Sequence, residues 1–112
     1  TLSVMNNLGL LLMAQQKPEE AEPVLREMLA GIDAVVPAGH WMRGQARVNC
    51  GRAILAQKRY ADAEPLLLVG YDELAAALPE GHDRRTIAAD AIVELYRGWE
   101  RPEEVERWTG RK

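Results

Sequence analysis

Apolar positions near the start of the chain recur at three- and four-residue spacing, through Val4, Leu8, Leu11 and Leu12, with Gln15 closing the series. That period marks a helix with one apolar face. The stretch ends at Gln16-Lys17 ahead of Pro18, and proline suits the first turn of a new helix because an N–H there would have no partner. A second helix is predicted from Pro18 to about Val36, with Leu25, Met28, Leu29 and Ile32 on one side and Pro37 and Gly39 ending it. The same plan predicts helices near 41–57 and 60–78, closed by Pro79 and Gly81. It continues with a helix over 84–97, a turn at Gly98, and a short last helix from Pro102 to about Thr109. Pro23 and Pro65 lie inside second helices, where each deletes one backbone hydrogen bond, so a bend or a late start is expected there.

These segments repeat. Shifted by 42 residues the chain aligns on itself without a gap, and 12 of the 42 aligned positions are identical. Asn7-Leu8-Gly9 and Ala21-Glu22-Pro23-Val24-Leu25 fall on Asn49-Cys50-Gly51 and Ala63-Glu64-Pro65-Leu66-Leu67, and Pro37-Ala38-Gly39-His40 falls on Pro79-Glu80-Gly81-His82. Each unit can bury its apolar face only by stacking on a neighbour, so the pattern predicts an all-α solenoid that binds something. One domain is expected over residues 1–112, with units of about 1–41, 42–83 and 84–112. Exposed solenoid ends need caps, so either Trp99 and Trp108 close the C-terminal end or more chain does so in the parent protein. The chain starts directly in a repeat with Thr rather than Met, and reads as a piece of a longer protein.

Composition narrows the picture. With no Phe, three Tyr and three Trp, the core must be built from Leu, Ile, Val, Met and Ala, which favours helices. One cysteine cannot form an intramolecular disulfide, so a cytoplasmic setting is the default. The apolar run Leu8 to Ala14 is too short to span a bilayer, and no basic segment precedes it as in a signal peptide. A net charge of −3 argues against a general nucleic-acid or membrane-surface binder. No acid occurs between Asp33 and Asp62, whereas Arg43, Arg47, Arg52, Lys58 and Arg59 fall in that gap. These cations either pair with Glu20, Glu22 and Glu27 of the neighbouring helix or form an anion-binding patch.

The tetratricopeptide pattern places a large residue, two spacers, Leu-Gly, two spacers and Tyr in a first helix, then Ala with an aromatic residue four positions on. Here it reads Met5-x-x-Leu8-Gly9-x-x-Leu12 with Ala21-x-x-x-Leu25, then Arg47-x-x-Cys50-Gly51-x-x-Ile54 with Ala63-x-x-x-Leu67. A degenerate third copy runs Ala89-x-x-Ile92-Val93-x-x-Tyr96 with Val105-x-x-x-Thr109. The chain thus resembles the tetratricopeptide repeat family over nearly its whole length. Its long period and its Ala-Glu-Pro-Leu-Leu and Pro-x-Gly-His pieces resemble the kinesin-light-chain subtype. The stretch from His40-Trp41 to Gly70-Tyr71 looks like the last repeats of large bacterial serine/threonine protein kinases, although no kinase motif is present.

The resemblance implies a right-handed superhelical solenoid of about two and a half antiparallel helix pairs, acting as a non-catalytic protein–protein interaction module. First helices would line a concave groove that receives a partner peptide. By the motif, its positions are Ser3, Asn6, Leu10 and Met13, then Gln45, Val48, Arg52 and Leu55, then Ile87, Asp90, Glu94 and Arg97. Several family members grip a terminal carboxylate with Lys and Asn. The matching positions here hold Asn6, Val48 and Asp90, and Leu10, Arg52 and Glu94, so that clamp is missing. An extended or helical segment with apolar and charged side chains is the expected ligand. Arg52, Glu94 and Arg97 would either serve that ligand or pair with one another. Self-association, or regulation within a larger protein, through exposed repeat ends is the alternative function.

Other chemistry is thinly represented. Cys50 with His40 or His82 as base would make a nucleophile, but its aligned positions Leu8 and Ile92 read as core. His40 and His82 occupy equivalent turns one repeat apart, and a turn role with the imidazole bonding a helix end is expected over shared metal binding. The pairs Glu19-Glu20 and Glu103-Glu104 sit where acids stabilise a helix N-terminus. No phosphate loop, dinucleotide fingerprint or cofactor motif is present.

Overall fold

In a computed structural model, residues 2–110 are described, and all their regular structure is helical. The elements are α1 (Leu2–Ala14), α2 (Pro18–Val35), α3 (Trp41–Ala56), α4 (Tyr60–Ala77), α5 (Asp83–Gly98) and α6 (Pro102–Thr109). Each packs mainly on its chain neighbours, with lighter contacts of α3 with α1 and α5. One core of buried residues runs from Ala21 and Leu25 of α2 to Trp108 of α6, and a smaller cluster joins Met28, Ile32 and Val36 to Ala46 of α3. The late start expected at Pro23 and Pro65 does not occur. Each proline is the sixth residue of its helix, and the single carbonyl it leaves without a partner does not stop either helix at that point.

Small residues set the closest approaches. A Cβ on Gly9 would run into Leu25, and one on Gly51 would lie 2.9 Å from the Leu67 side chain, so the Leu-Gly position meets the Ala-Glu-Pro-x-Leu segment of its own unit. Among the glycines, the closest approach to a backbone atom is one the motif did not indicate. A Cβ on Gly44 would lie 2.7 Å from the Gly70 carbonyl oxygen, and one on Gly70 would lie 2.9 Å from the Gly44 carbonyl oxygen. Unit two therefore closes backbone to backbone, which the corresponding Leu2 and Met28 of unit one cannot do.

The turns repeat as faithfully as the helices. Gly39 and Gly81 have φ of 85° and 84°, the left-handed region that glycine enters without steric cost. His40 Nδ1 accepts from the Met42 N–H and His82 Nδ1 from the Arg84 N–H, both at 3.1 Å. Each imidazole thus caps a first helix, as the turn reading expected. Gln16, Lys58 and Glu100, again 42 apart, take φ of 59°, 62° and 59° where glycine is usual. Next to them the N–H groups of Lys17, Arg59 and Arg101 close onto the carbonyls of Leu12, Ile54 and Tyr96. Arg43 and Arg85 donate to the Val36 and Leu78 carbonyls at the ends of the second helices.

Of the acids expected to pair with the cations between Asp33 and Asp62, Glu22 does so, with Arg59 at 2.6 Å. Burial pushes the Glu22 carboxyl upward, but hydrogen bonds from Arg26, Gln57 and Arg59 outweigh it and hold the group below its ordinary value of 4.5. Arg43 and Arg47 reach Asp33 instead, at 3.5 and 3.3 Å, and Arg47 reaches Glu73 at 2.8 Å. Glu20 lies beside Lys17 at 3.9 Å. At the C-terminal end Trp108 is buried and meets Tyr71 in a T-shaped pair, the centroids 4.9 Å apart. Trp99 stacks with Tyr60 and Tyr96.

Candidate partner-binding cleft

The first helices α1, α3 and α5, with the end of α2, enclose an open cleft of about 820 Å³. Its floor is a chain of polar side chains running across the three first helices. Arg84 donates to Gln45 Oε1 at 3.1 Å, Gln45 Nε2 donates to Asn49 Oδ1 at 2.8 Å, and Asn49 Nδ2 donates to Asn6 Oδ1 at 3.1 Å. Asn49 is only 4% exposed, and an amide buried that deeply is costly unless it is bonded. The ladder meets that need and ties the helices together. Arg84 also lies over the Trp41 ring, 4.0 Å from its centroid, which fixes the guanidinium at the cleft edge.

The walls are apolar. Of eight exposed large hydrophobic residues among those described, Leu10, Val35, Met42 and Ile87 line this cleft. Arg52 and Arg84 supply positive charge, and Asp83 is the acid in the lining. Arg52 also lines an adjoining cleft of about 310 Å³ with Met13, Leu55, Lys58, Tyr60 and Glu94. Among the described residues Arg52 makes no ion pair or side-chain hydrogen bond, and Arg52, Glu94 and Arg97 do not pair with one another.

The motif-derived groove set therefore divides. Asn6, Leu10, Gln45 and Arg52 come together in the larger cleft, with Ser3 and Ile87. Met13, Leu55 and Glu94 come together in the smaller one. Val48 does not belong: it is 1% exposed, and its methyl would meet a Cβ placed on Gly70 at 2.7 Å. The Gly44–Gly70 contact draws this side of α3 under α4. The position facing Asn6 is then Asn49, one residue beyond the 42-residue register. Asp90 is exposed but lines neither cleft, and Arg97 lines a separate one of about 290 Å³ between α5 and α6. Asn49, Arg84 and Trp41 were missed because the motif marks helix-packing positions and carries no information on hydrogen bonds across units.

Cys50 is fully buried and burial pushes its thiol pKa up, which disfavours the thiolate a nucleophile needs. Its aligned residue Leu8, read as core, is instead 43% exposed, because no helix lies on α1, among the described residues, as α2 lies on α3. No group of three or more His, Cys, Asp or Glu among the described residues is arranged to hold a metal ion. No described helix is long and apolar enough to cross a membrane.

With this geometry in place, the comparisons give one family. The model described as tetratricopeptide repeat matches residues 1–41, supporting a tetratricopeptide-type repeat there. The all-helical fold is consistent with that type of helical repeat throughout. No curated protein and no solved structure matches the chain. Tetratricopeptide repeats are in general protein–protein interaction modules without catalysis of their own.

Proposed function

We propose that this chain is a non-catalytic module that holds a segment of a protein partner in the cleft lined by α1, α3 and α5. The observation that carries the reading is the gathering of Leu10, Val35, Met42 and Ile87, exposed apolar residues from four different helices, around one cleft over a satisfied polar floor. Apolar surface gathered in this way gains free energy when a ligand removes it from water, while the few polar groups fix orientation. Arg52 is the orienting cation: it stands where the two clefts meet and, among the described residues, is not engaged by any acid. The ligand is an extended or helical segment with apolar anchors and at least one acidic side chain. A second reading, a regulatory segment of a larger multidomain protein such as a serine/threonine protein kinase, draws support from the exposed Leu8 and Leu11 of α1.

Selection of a displayed random-peptide library against the chain tests the first reading. Selected peptides should pair aliphatic anchors with Asp or Glu and should lose binding at least tenfold to Arg52→Glu and to Leu10→Asp. Peptides without such a consensus, or insensitive to both changes, would remove the cleft as the binding site.

A further inference from the structure

The polar floor of the cleft runs in one direction, and that direction has a fixed source. An amide side chain can turn its oxygen and nitrogen either way, so a ladder of amides takes its sense from a member that can only donate or only accept. Here that member is Arg84, which carries donors and no acceptor. Its guanidinium lies over the Trp41 ring, 4.0 Å from the centroid, and its backbone N–H is held by the His82 cap at 3.1 Å. Because Arg84 Nη1 faces Gln45 Oε1, Gln45 turns Nε2 to Asn49 Oδ1, and Asn49 turns Nδ2 to Asn6 Oδ1. Reversing any one amide would set two donors or two oxygens face to face around the buried Asn49.

The last link leaves one group over. Asn6 uses its oxygen on Asn49, so Nδ2 is the end that this half-buried side chain turns away from the ladder, at the lining of the cleft. Among the described residues that nitrogen has no hydrogen-bond partner. The arrangement is particular to this place in the stack. At 42-residue spacing Arg84 falls on Met42, Gln45 on Ser3 and Ile87, Asn6 on Val48, and Asn49 on the exposed Asn7 and on Ala91.

We infer, on the cleft reading above, that Arg84 acts through Gln45 and Asn49 as a positioning residue, making Asn6 an obligate hydrogen-bond donor toward the cleft, and that this donor takes a backbone carbonyl of the partner segment. Leu10 stands one turn along the same face of α1 and lines the same cleft. A neutral amide donor beside an apolar wall suits a neutral acceptor, whereas the acid of the partner is matched by the Arg52 cation. Two different groups of the ligand are thereby read at two separate places.

The probe is a library-selected peptide that loses binding to Leu10→Asp and to Arg52→Glu. It is titrated by calorimetry into the wild-type, Gln45→Glu and Arg84→Lys chains, with ¹H–¹⁵N spectra of the Asn6 side chain. Gln45→Glu reverses the ladder without emptying it. The carboxylate accepts from both Arg84 and Asn49, so Asn49 turns its oxygen to Asn6, and Asn6 shows its own oxygen to the cleft. On binding to the wild-type chain the Asn6 amide protons should shift. Gln45→Glu should slow their exchange with solvent in the free chain and weaken binding about tenfold or more at unchanged helicity, whereas Arg84→Lys, which still donates, should keep most of the affinity. A peptide with its acid replaced by the matching amide should suffer the same further loss on Gln45→Glu, which separates a reversed donor from repulsion of the acid. Unmoved Asn6 protons, or equal binding by Gln45→Glu, would overturn the inference while the sensitivity to Leu10→Asp and Arg52→Glu leaves the cleft reading standing. A loss confined to the acidic peptide would overturn it as well. A library yielding no peptide sensitive to those two changes would remove the cleft and the inference together.

Discussion

Leu8 on α1 and Ile92 on α5 are the same position of the same repeat, yet one is 43% exposed and the other fully buried. Residue type does not separate them, since leucine and isoleucine have similar volume and hydrophobicity. What differs is the neighbour: α4 lies on α5, and no helix lies on α1 in that way among the described residues. Burial in a stacked repeat belongs to the pair of units and not to the sequence of one, as a nearest-neighbour description of such arrays requires. Local features behave in the opposite way. The His40 and His82 caps, the left-handed Gln16, Lys58 and Glu100, and the Gly39 and Gly81 turns recur without change wherever they fall.

The largest test of that contrast compares truncations. Ile92→Ala and Leu95→Ala should each cost about 2–5 kcal/mol in urea unfolding, from lost transfer energy and the cavity left behind. Leu8→Ala and Leu11→Ala should each cost less than about 1 kcal/mol, in the range of surface changes. Comparable losses at both places would break the contrast. Next in size, Gly44→Ala should cost roughly 1–3 kcal/mol, because the new methyl meets a backbone oxygen that cannot step aside as a side chain can. Gly51→Leu should fall at the upper end of that range through overpacking on Leu67. A neutral Gly44→Ala would mean that unit two closes no more tightly than unit one.

Removing the local devices should cost less, and equally in each unit. His40→Ala and His82→Ala should each lose about 1 kcal/mol, as for other N-cap deletions, with most of it restored by Asn at the same position. The acid limb of stability should also carry the mark of Glu22. Its folded-state pKa lies below the ordinary 4.5, so its contribution is complete above the unfolded value and is lost as pH falls through the lower folded one. A Glu22→Gln chain should show a shallower decline of stability below pH 4.5 in urea titrations at stepped pH. Smallest of all, Lys58→Gly should raise stability by less than about 1 kcal/mol by relieving a left-handed φ, with the same sign at Gln16 and Glu100.

Much of the fold was legible in the sequence because the repeat displays each helix and each turn twice. Helix limits followed from Pro18, Pro37, Pro79 and Pro102 within a residue or two, and the capping role of the histidines followed from their place after Pro-x-Gly. The site was only half legible. A motif fixes which residues touch inside one helix pair, so it placed Asn6, Leu10, Gln45 and Arg52 on the cleft. It could not register that two glycines of unit two would meet backbone to backbone and carry Val48 into the core. Nor could charge order along the chain decide ion pairs. Arg47 bridges Asp33 and Glu73, 14 residues behind and 26 ahead, a choice made by helix packing rather than by proximity in sequence.

The claim that a partner segment lies along the first helices is tested most directly by a ¹H–¹⁵N NMR titration of the chain with a library-selected peptide. Shifts concentrated at Gln45, Asn49, Arg52, Arg84 and Ile87, with Leu8 and Leu11 unmoved, are the predicted result. Shifts confined to Leu8, Leu11, Gln15 and Lys17, with the cleft silent, would contradict it.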